Sequence, residues 1–277
     1  MTNPTAAVPH DELLALASEL AVRAGRMVRD GRAARGVSTA ATKSSTTDVV
    51  TEFDRASEAL IVGAIRGARP HDALVGEEGT RTEGTSGIHW LIDPIDGTTN
   101  FLYGLPGYAV SIAACTDDRT EVGCAEVGVV YIPSTDELFT AVRGRGAWLD
   151  GSPIHCSDTD DLSLALVATG FNYLPERRGP QAQRVAALLP QVRDIRRLGA
   201  AAPDLCYVAA GRVDAYFEEF LGPWDLAAGE LIAREAGCRS SSIDGGAITP
   251  ASTLVANPHL HAQLVATITG IDGTSGK

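Results

Sequence analysis

The sequence predicts an α+β fold in its first half and an α/β fold in its second half. Two observations carry this prediction: short strands dominate the middle of the chain, whereas strands and helices alternate from about residue 162 onward. At 277 residues, the chain is long enough for one large domain or for two smaller units that share a cleft. We expect an N-terminal subdomain over 1–155, a C-terminal subdomain over 156–270 and a loose tail over 271–277.

Two helices are expected at the start of the first half. Apolar residues recur at three-to-four spacing between Leu13 and Val28, after a plausible helix start at 9–11, and a second helix opens near Thr51. Period-two patterns bounded by turn residues then predict strands. The expected strands are 74–76, 89–92, 108–115, 122–132, 137–142 and 147–149, with a polar loop at 80–87 and a hairpin turn at 150–151.

The second half is expected to alternate between strands and helices. Strands are predicted at 164–169 and 213–218. Helices are predicted at 180–189, 199–211 and 224–237, where Gly237 is a typical helix stop.

Composition excludes several classes of protein. With 44% hydrophobic and 21% charged residues and a mean hydropathy of +0.03, the chain is neither disordered, nor collagen-like, nor a membrane bundle. There are 35 acidic and 23 basic residues, for a net charge of -12. An acidic chain has no long-range attraction for nucleic acid or anionic lipid. We therefore expect no direct nucleic-acid partner and no membrane partner.

The cysteines and the N-terminus indicate a cytoplasmic protein. Five widely spaced cysteines without a CxxC pair favour reduced, mostly buried thiols over disulfides or zinc ligands. The first twelve residues lack the basic segment and apolar core of a secretory signal.

The most informative motif is the segment WLIDPIDGTTN over 90–100. Its apolar strand leads to Asp93, which precedes a proline and is therefore biased toward extended geometry. Asp96 follows three residues later, close enough to share a bound ion. Gly97 and Thr98 then offer backbone N–H groups at a possible helix start, which suits phosphate. An ordinary Asp-Pro/Asp-Gly turn is the alternative interpretation.

Two more acidic positions lie at the ends of apolar elements. Glu77 and Glu78 follow a predicted strand, and Asp225 lies at a predicted helix start. Taken alone, the pair Glu77 and Glu78 is typical of a solvated turn, and Asp225 is typical of a helix cap. If these carboxylates converge with Asp93, they need cations, and oxygen ligands without His or Cys suit Mg²⁺. Spacing along the chain leaves that convergence as a hypothesis.

Taken in order, these motifs closely resemble the inositol monophosphatase family of Mg²⁺-dependent, lithium-sensitive phosphatases. The resemblance runs from about residue 10 to 265. Its anchors are 43–54 (KSSTTDVVTEFD), 76–78 (GEE), 90–98 and 224–229 (WDLAAG). It implies the layered α-β-α-β-α sandwich that this family shares with fructose-1,6-bisphosphatase, and a homodimer.

The resemblance also implies two to three Mg²⁺ ions per subunit. The first would be held by Glu77, Asp93 and the backbone carbonyl of Ile95. The second would be held by Asp93, Asp96 and Asp225, with Asp93 bridging. Glu77 would also reach a weaker third ion. Two such ions can clamp the attacking and leaving oxygens of an in-line displacement.

Catalytic roles follow by the same resemblance. A metal-activated water would be the nucleophile, oriented and deprotonated by Thr98 and Asp54 beside Glu77, while the N–H groups of Gly97 and Thr98 hold the phosphate. Asp54 has a second interpretation, because Thr51 to Asp54 also reads as a capping box.

The alcohol part of the substrate would contact Glu218, Asp96 and the backbone around Ala201. Lys43 and Glu78 would lie near the metals without being principal ligands, although Lys43 can also be read as a solvated surface lysine.

The expected activity is hydrolysis of myo-inositol 1-phosphate to inositol and phosphate. Alternatives that keep the same metal site are fructose-1,6-bisphosphatase, histidinol-phosphatase and nucleotide 3′-phosphatase activity. A sugar bisphosphate needs a further basic pocket, which the sequence does not reveal. An alternative of another class is a regulatory protein that contacts the transcription machinery, as some bacterial members of this family do.

Overall fold

The computed structural model describes residues 8–43, 49–116 and 123–275. Its helices are α1 His10–Arg35, α2 Glu52–Ala68, α3 Thr98–Tyr103, α4 Pro175–Leu188, α5 Ala201–Ala209, α6 Pro223–Glu235 and α7 Pro258–Ser275. Its strands are β1 Thr39–Thr42, β2 Val49–Thr51, β3 Ala73–Gly76, β4 Arg81–Thr82, β5 His89–Asp96, β6 Ala109–Cys115, β7 Ala125–Ile132, β8 Glu137–Val142, β9 Gly146–Leu149, β10 Ser152–Pro153, β11 Leu166–Thr169, β12 Asp194–Arg196, β13 Ala215–Glu218, β14 Arg239–Ser241 and β15 Thr253–Ala256.

Two sheets form the frame. The larger has the strand order β10-β9-β8-β7-β6-β5-β3-β4, and the smaller has the order β12-β11-β13-β15-β14. In the larger sheet β5 runs parallel to β3 and antiparallel to β6. In the smaller sheet β11 runs parallel to both β12 and β13. Parallel neighbours end at the same edge of a sheet, so side chains at the ends of β3 and β5 are brought together.

Three hydrophobic layers separate these elements. One contains apolar residues of α1 and α2 against the larger sheet. The second contains α5 and α6 between the two sheets. The third packs α4 and α7 against the outer face of the smaller sheet. The order is therefore helices, sheet, helices, sheet, helices, which confirms the predicted α-β-α-β-α sandwich.

Strand β5 is buried on both faces, which explains why its sequence is apolar at successive positions. Trp90 and Ile92 face the layer of α1 and α2, whereas Leu91 faces the layer of α5 and α6. All three side chains are almost completely buried. A strand covered on both faces needs apolar residues at every position, and each large side chain contributes about 1.5–3 kcal/mol by burial.

Most predicted elements are found within a few residues of their expected bounds. Helix α2 begins where predicted, because the Thr51 side chain accepts a hydrogen bond from the Phe53 N–H. Helix α4 begins at Pro175 rather than at 180, since proline is well suited to the first helical position. The expected loop over 80–87 contains the short strand β4. Of the predicted strand at 122–132, β7 covers 125–132, and residue 122 lies outside the described residues.

The expected loose tail is wrong for residues 271–275, which continue α7. Leu260, Leu264, Ile268 and Ile271 recur at three-to-four spacing and pack against the smaller sheet. Residues 276–277 lie outside the described residues. The proposed boundary between 155 and 156 falls between β10 and β11, which belong to different sheets. The division into two subdomains at this boundary stays a prediction, because α5 and α6 pack against both sheets and join the two halves in one core.

The prediction that all cysteines are reduced is wrong for one pair. Cys115 and Cys124 form a disulfide. Cys115 ends β6 opposite Ala125 of β7, so the strand pairing brings Cys124 alongside it. Sequence motifs did not reveal this pair because its sulfur atoms meet through strand register. The remaining thiols, of Cys156, Cys206 and Cys238, are free, and only that of Cys156 is partly exposed.

Within the described ranges, none of the helices combines the length and the apolar character that a membrane crossing needs.

Candidate active site

Three carboxylates meet at one edge of the larger sheet. Asp93 lies near the end of β5, and Glu77 directly follows β3, its parallel neighbour. The Glu77 N–H donates to the Ile92 carbonyl at 3.1 Å, which fixes the two strand ends side by side. Asp225 comes from the first turn of α6 and accepts a hydrogen bond from the Gly222 N–H at 2.7 Å. Oxygen atoms of Glu77, Asp93 and Asp225 all lie within 4.8 Å of one another, so the hypothesis that these carboxylates converge is confirmed.

Asp96 lies beside this cluster at the end of β5. The pairing of β5 with β6 is irregular between Asp93 and Asp96, so both carboxylates can serve the same edge. The Asp96 Oδ2 accepts a hydrogen bond from the Ala202 N–H at 2.6 Å. Asp96 therefore connects the edge of the larger sheet to the start of α5.

Burial and like charge raise the pKa of every carboxyl in the cluster. Burial raises the pKa of Asp93 and Asp96 well above the usual range, and the neighbouring carboxylates add to this shift. Burial and the charge of Asp225 raise the pKa of Glu77 to about 7. Burial raises the pKa of Asp225 to about 6. Without cations, such a cluster repels itself, and its all-oxygen donor set fits a hard divalent cation such as Mg²⁺.

Lys43 reaches the same cluster from the loop after β1. Its Nζ lies 2.7 Å from Glu77 Oε1 and 2.5 Å from Glu78 Oε1. Burial lowers the pKa of Lys43, but the two carboxylates outweigh this effect and raise it above the usual value. Lys43 is thus an exposed lysine whose ammonium is ion-paired with the cluster and its neighbour Glu78. Residues 44–48 of the same motif lie outside the described residues.

Asp54 and Thr98 form a buried pair next to the cluster. The Thr98 Oγ1 lies 2.9 Å from Asp54 Oδ1 and 3.0 Å from the Ile95 carbonyl oxygen. The other oxygen of Asp54, Oδ2, accepts a hydrogen bond from the Thr51 N–H at 2.8 Å. Burial raises the pKa of Asp54, against the effect of its hydrogen bonds. The two interpretations of Asp54 are therefore compatible, because one oxygen caps α2 while the other faces Thr98.

Gly97 makes the turn between β5 and α3. Its φ of 84° lies in the left-handed region, which disfavours other residues. A Cβ at this position would also lie 2.9 Å from the Ala200 Cβ. The backbone can therefore approach α5 closely, and Gly97 and Thr98 both line the cavity above the carboxylates.

That cavity has a volume of about 100 Å³. The predicted site residues that line it are Glu77, Asp93, Ile95, Asp96, Gly97, Thr98, Ala201, Glu218 and Asp225. Asp54, Lys43 and Glu78 do not line it, but Asp54 contacts Thr98 and Lys43 contacts Glu77, both of which do. The cavity is also lined by Arg197, Gly199 and Ala200, and by five residues that were not predicted: Phe171, Asn172, Tyr173, Phe220 and Leu221.

Glu218 ends β13 at the opposite wall of the cavity. It accepts a hydrogen bond from the Tyr216 hydroxyl at 2.6 Å. Burial raises its pKa, while the Tyr216 hydrogen bond and the charge of Arg197 oppose this shift. A Cβ on Gly170 would lie 1.9 Å from Glu218 Oε2, so this glycine leaves the space that the carboxylate occupies.

Sequence reasoning missed Glu58, which holds the loop of Glu77 and Glu78. This buried glutamate of α2 accepts hydrogen bonds from the Glu78 N–H at 2.8 Å, the Thr80 N–H at 3.1 Å and the Thr80 hydroxyl at 2.6 Å. A Cβ on Gly76 would lie 2.4 Å from Glu58 Oε2. The available signal was spacing, because Glu58 lies one helical turn after Asp54 on the inner side of α2.

Comparisons with known proteins agree with this geometry. The model of the inositol monophosphatase family matches residues 10–272. The chain is 42% identical over 244 residues to an inositol-1-monophosphatase of Mycobacterium leprae, which is 82% of each chain. It is 45% identical over 207 residues to the Nus factor SuhB of Vibrio cholerae, which is 74% of this chain and 76% of that one.

Among solved structures, it resembles the extragenic suppressor protein suhB of Bartonella henselae. The TM-score is 0.85 and the identity 35%, covering 93% of this chain and 98% of the other. The match of the family model spans nearly the whole chain and includes every carboxylate of the cluster. This chain therefore belongs to the inositol monophosphatase family.

Proposed function

We propose that this protein is a Mg²⁺-dependent phosphomonoesterase that hydrolyses myo-inositol 1-phosphate to inositol and inorganic phosphate. Membership of the inositol monophosphatase family supports a phosphatase, and such proteins are generally metal-dependent. The observation that carries the proposal is the meeting of Glu77, Asp93 and Asp225 oxygens within 4.8 Å at one cavity. Such a cluster has little structural purpose, because its members repel one another.

The residues around the cavity divide into three sets. Glu77, Asp93, Asp96, Asp225 and the Ile95 carbonyl would hold Mg²⁺. When bound, Mg²⁺ supplies charge neutralisation for the phosphate and activation of water for in-line attack. The second set orients and deprotonates the attacking water, and the third holds the substrate.

Thr98 and Asp54 make up the second set. The hydroxyl of Thr98 can accept a hydrogen bond from the attacking water while it donates one to Asp54 Oδ1, 2.9 Å away. As the water's proton passes to Thr98, the Thr98 proton passes to the Asp54 carboxylate, which is the general base. The side chain of Asp54 is held in place because its other oxygen, Oδ2, accepts the hydrogen bond from the Thr51 N–H that caps α2. These hydrogen bonds hold the pair in the orientation that would position the water.

The substrate contacts come from both sheets. The N–H groups of Gly97 and Thr98, which line the cavity, would bind phosphate oxygens. Glu218, Asp96 and the backbone near Ala201 would bind hydroxyl groups of the alcohol. Since Glu218 ends a strand of the smaller sheet and Asp96 a strand of the larger, the substrate lies between them.

The test is phosphate release from a panel of monoesters, with Mg²⁺ and with EDTA. The panel contains inositol 1-phosphate, fructose 1,6-bisphosphate, histidinol phosphate and a nucleotide 3′-phosphate. We expect release that depends on Mg²⁺ and is fastest with inositol 1-phosphate, and inhibition by lithium. Faster release from another compound of the panel would still support the metal site but would change the assigned substrate. Absence of release from all of them would overturn the proposal.

A second candidate function is regulatory contact with the transcription machinery. Relatives named Nus factor SuhB favour it, including that of Vibrio cholerae. The net charge of -12 argues against direct RNA contact, so a protein partner is the form we consider. Capture of RNA polymerase or its associated factors from a lysate of the source organism, equally by wild type and by Asp93→Asn, would support this role. Loss of capture in Asp93→Asn would show that the regulatory contact depends on the metal cluster.

We further propose that the protein is cytoplasmic, and that it is a homodimer, as the family resemblance implies. Light scattering on the purified protein would give a mass of about twice the 28.9 kDa chain. A monomer at micromolar concentration would contradict this assembly.

A further inference from the structure

A second group of potential metal ligands lies at the opposite end of β5 from the carboxylate cluster. Asp93 and Asp96 lie toward the end of this strand, whereas His89 begins it. Ligand atoms of His89, Cys115 and Cys124 all lie within 4.8 Å of one another. A rise of about 3.3 Å per residue places His89 about 13 Å from Asp93 along the strand. None of the three is among the described residues that line the catalytic cavity, so this group is separate from the candidate active site.

Strand pairing produces this arrangement. His89 is directly opposite Cys115 in the antiparallel pairing of β5 with β6, so the two side chains project from the same face of the sheet. Cys115 is opposite Ala125 of β7, and Cys124 immediately precedes that residue. The three ligands therefore come from β5, from β6 and from the residue before β7, which is why no CxxC spacing signals them in the sequence.

The surroundings of the group suit a metal ion that is held tightly. His89 and Cys115 are buried, and Cys115 belongs to the apolar layer of α5 and α6. In such a layer the attraction between a thiolate and a cation is stronger than in water. Cys124 is only partly buried, so a metal ion can enter from its side.

The donor set selects a different cation from the carboxylate cluster. Two thiolates and one imidazole favour Zn²⁺, whereas the all-oxygen cluster suits Mg²⁺. A tetrahedral Zn²⁺ with bonds of about 2.3 Å to sulfur and about 2.0 Å to nitrogen holds its ligand atoms about 3.5–3.8 Å apart. Rotation of side chains whose ligand atoms already lie within 4.8 Å of one another can give these separations once the two sulfur atoms are no longer bonded.

The two thiols are joined in the structure, so the metal site requires their reduction. A dithiol reductant supplies two electrons and two protons, breaks the bond between the sulfurs of Cys115 and Cys124, and itself becomes a disulfide. Zn²⁺ then displaces the proton of each thiol into solvent, while the neutral imidazole of His89 donates a nitrogen lone pair. The disulfide and the metal complex are therefore mutually exclusive states of the same residues.

We propose that His89, Cys115 and Cys124 bind one Zn²⁺ in the reduced protein, with a water molecule as the fourth ligand. The disulfide joins the end of β6 to the residue before β7, whereas the metal would join the start of β5 to them as well. A reducing compartment, in which thiols are kept reduced, favours the metal-binding state. The proposal does not depend on the phosphatase function, because it uses none of the residues assigned to that function.

The test is a titration with Co²⁺, used as a coloured substitute for Zn²⁺, in the presence of saturating Mg²⁺. The protein is first reduced with a dithiol and then freed of it. Thiolate ligands give Co²⁺ an intense near-ultraviolet charge-transfer absorption, which carboxylate ligands do not give, so the carboxylate cluster does not contribute. We expect an absorption that saturates at one Co²⁺ per chain, that added Zn²⁺ abolishes, and that the disulfide-linked protein lacks. This comparison of two redox states of the wild type needs no variant.

Variants identify the ligands. Cys124→Ser should abolish the absorption, and His89→Gln should weaken Zn²⁺ binding at least about tenfold, since loss of a ligand costs no less than loss of its supporting contacts. Cys156→Ser is the matched control, because Cys156 is a partly exposed free thiol outside the group, and it should keep the absorption. Circular dichroism checks that each variant is folded.

Three results would overturn the proposed zinc site. They are no absorption in the reduced wild type, an unchanged absorption in Cys124→Ser, and a loss of absorption in Cys156→Ser. Unchanged Zn²⁺ affinity in His89→Gln would equally exclude His89 as a ligand and overturn the site as proposed. Phosphate release with Mg²⁺ is measured independently, so failure of the zinc site and failure of the proposed function can be told apart.

Discussion

Two strand ends in this protein use the same local arrangement. β3 ends at Gly76, and the glycine Gly170 directly follows β11. In each case a glutamate from a neighbouring element occupies the space of the missing side chain: Glu58 lies 2.4 Å from an ideal Cβ on Gly76, and Glu218 lies 1.9 Å from one on Gly170. Both glutamates thereby reach the edge of a sheet without distorting the backbone.

The hydrogen bonds of the two glutamates differ, and this separates their roles. Glu58 accepts three hydrogen bonds from the loop after Gly76, so both of its oxygens are occupied. Glu218 accepts one, from the Tyr216 hydroxyl, and lines the cavity. A carboxylate that uses most of its acceptor sites within its own protein positions a loop, whereas one with most of its sites free can bind a ligand. The number of unused acceptor sites, and not distance alone, therefore distinguishes the acidic residue that can bind a ligand from the one that positions a loop.

The largest effect is expected for substitution of Asp93, the carboxylate that both proposed metal positions share. Asp93→Asn should reduce kcat/KM for inositol 1-phosphate on the order of 100-fold or more, because it removes the charge that both proposed metal positions share. Its fold should persist, since Asn can keep the hydrogen bond that Asp93 Oδ1 accepts from the Ile95 N–H. Phosphate release and circular dichroism measure the two outcomes. Asp160→Asn, at an exposed position, is the control, and an unchanged rate in Asp93→Asn would contradict the site.

Stability of the metal-free protein should depend on pH. The pKa is raised to about 7 for Glu77 and to about 6 for Asp225, whereas both groups titrate near 4 in an unfolded chain. The folded state therefore binds these protons more tightly. The resulting stability is fully present below about pH 4 and is lost as pH rises through 7, with a size on the order of 6 kcal/mol.

The measurement is thermal unfolding in EDTA at pH 5 and pH 8. We expect a lower Tm at pH 8, a smaller difference in Asp225→Asn, and a gain from added Mg²⁺ that is larger at pH 8. A Tm that is equal at both pH values in wild type and variant would show that the cluster is not self-repelling.

The carboxylates of the cluster could be predicted from the sequence, whereas the long-range contacts that bring them together could not. Asp93 and Asp96 could be predicted because one contiguous motif places them at the end of an apolar strand. Their convergence with Glu77 depends on the parallel pairing of β3 with β5, which no local pattern encodes. The layered sandwich itself was predicted through a family resemblance, since periodicity alone indicated only the two fold classes.

Residues contributed by distant pairings could not be predicted. Glu58 reads as a polar residue in a helix, and its partners are twenty and twenty-two positions away. The disulfide of Cys115 and Cys124 likewise arises from strand register. Long-range geometry of this kind is the part that a single sequence leaves open.

The role of Glu58 as an anchor predicts a defect in metal use. Glu58→Gln replaces one acceptor oxygen by an NH₂ group that must face an N–H donor, so the loop of Glu77 loses its fixed position. We expect the Mg²⁺ concentration for half-maximal activity to rise about tenfold, with most of kcat recovered at saturating Mg²⁺. Glu52→Gln, exposed at the start of the same helix, is the control. A loss of kcat at unchanged Mg²⁺ requirement would assign Glu58 a different role.

The role of Glu218 as a substrate-binding residue predicts a different defect from that of Glu58→Gln, namely weaker substrate binding at an unchanged Mg²⁺ requirement. Glu218→Gln keeps an oxygen for the Tyr216 hydroxyl but weakens the acceptor offered to an alcohol group. We expect kcat/KM for inositol 1-phosphate to fall about fivefold through KM, which corresponds to about 1 kcal/mol, the net worth of one hydrogen bond. The Mg²⁺ requirement should not change, because Glu218 is not among the three carboxylates that converge. Glu219→Gln is the matched control, since Glu219 pairs with Arg184 at 2.7 Å instead of facing the cavity. If Glu218→Gln raised the Mg²⁺ requirement as Glu58→Gln does, both glutamates would be anchors, and spare acceptors would no longer separate the two strand ends.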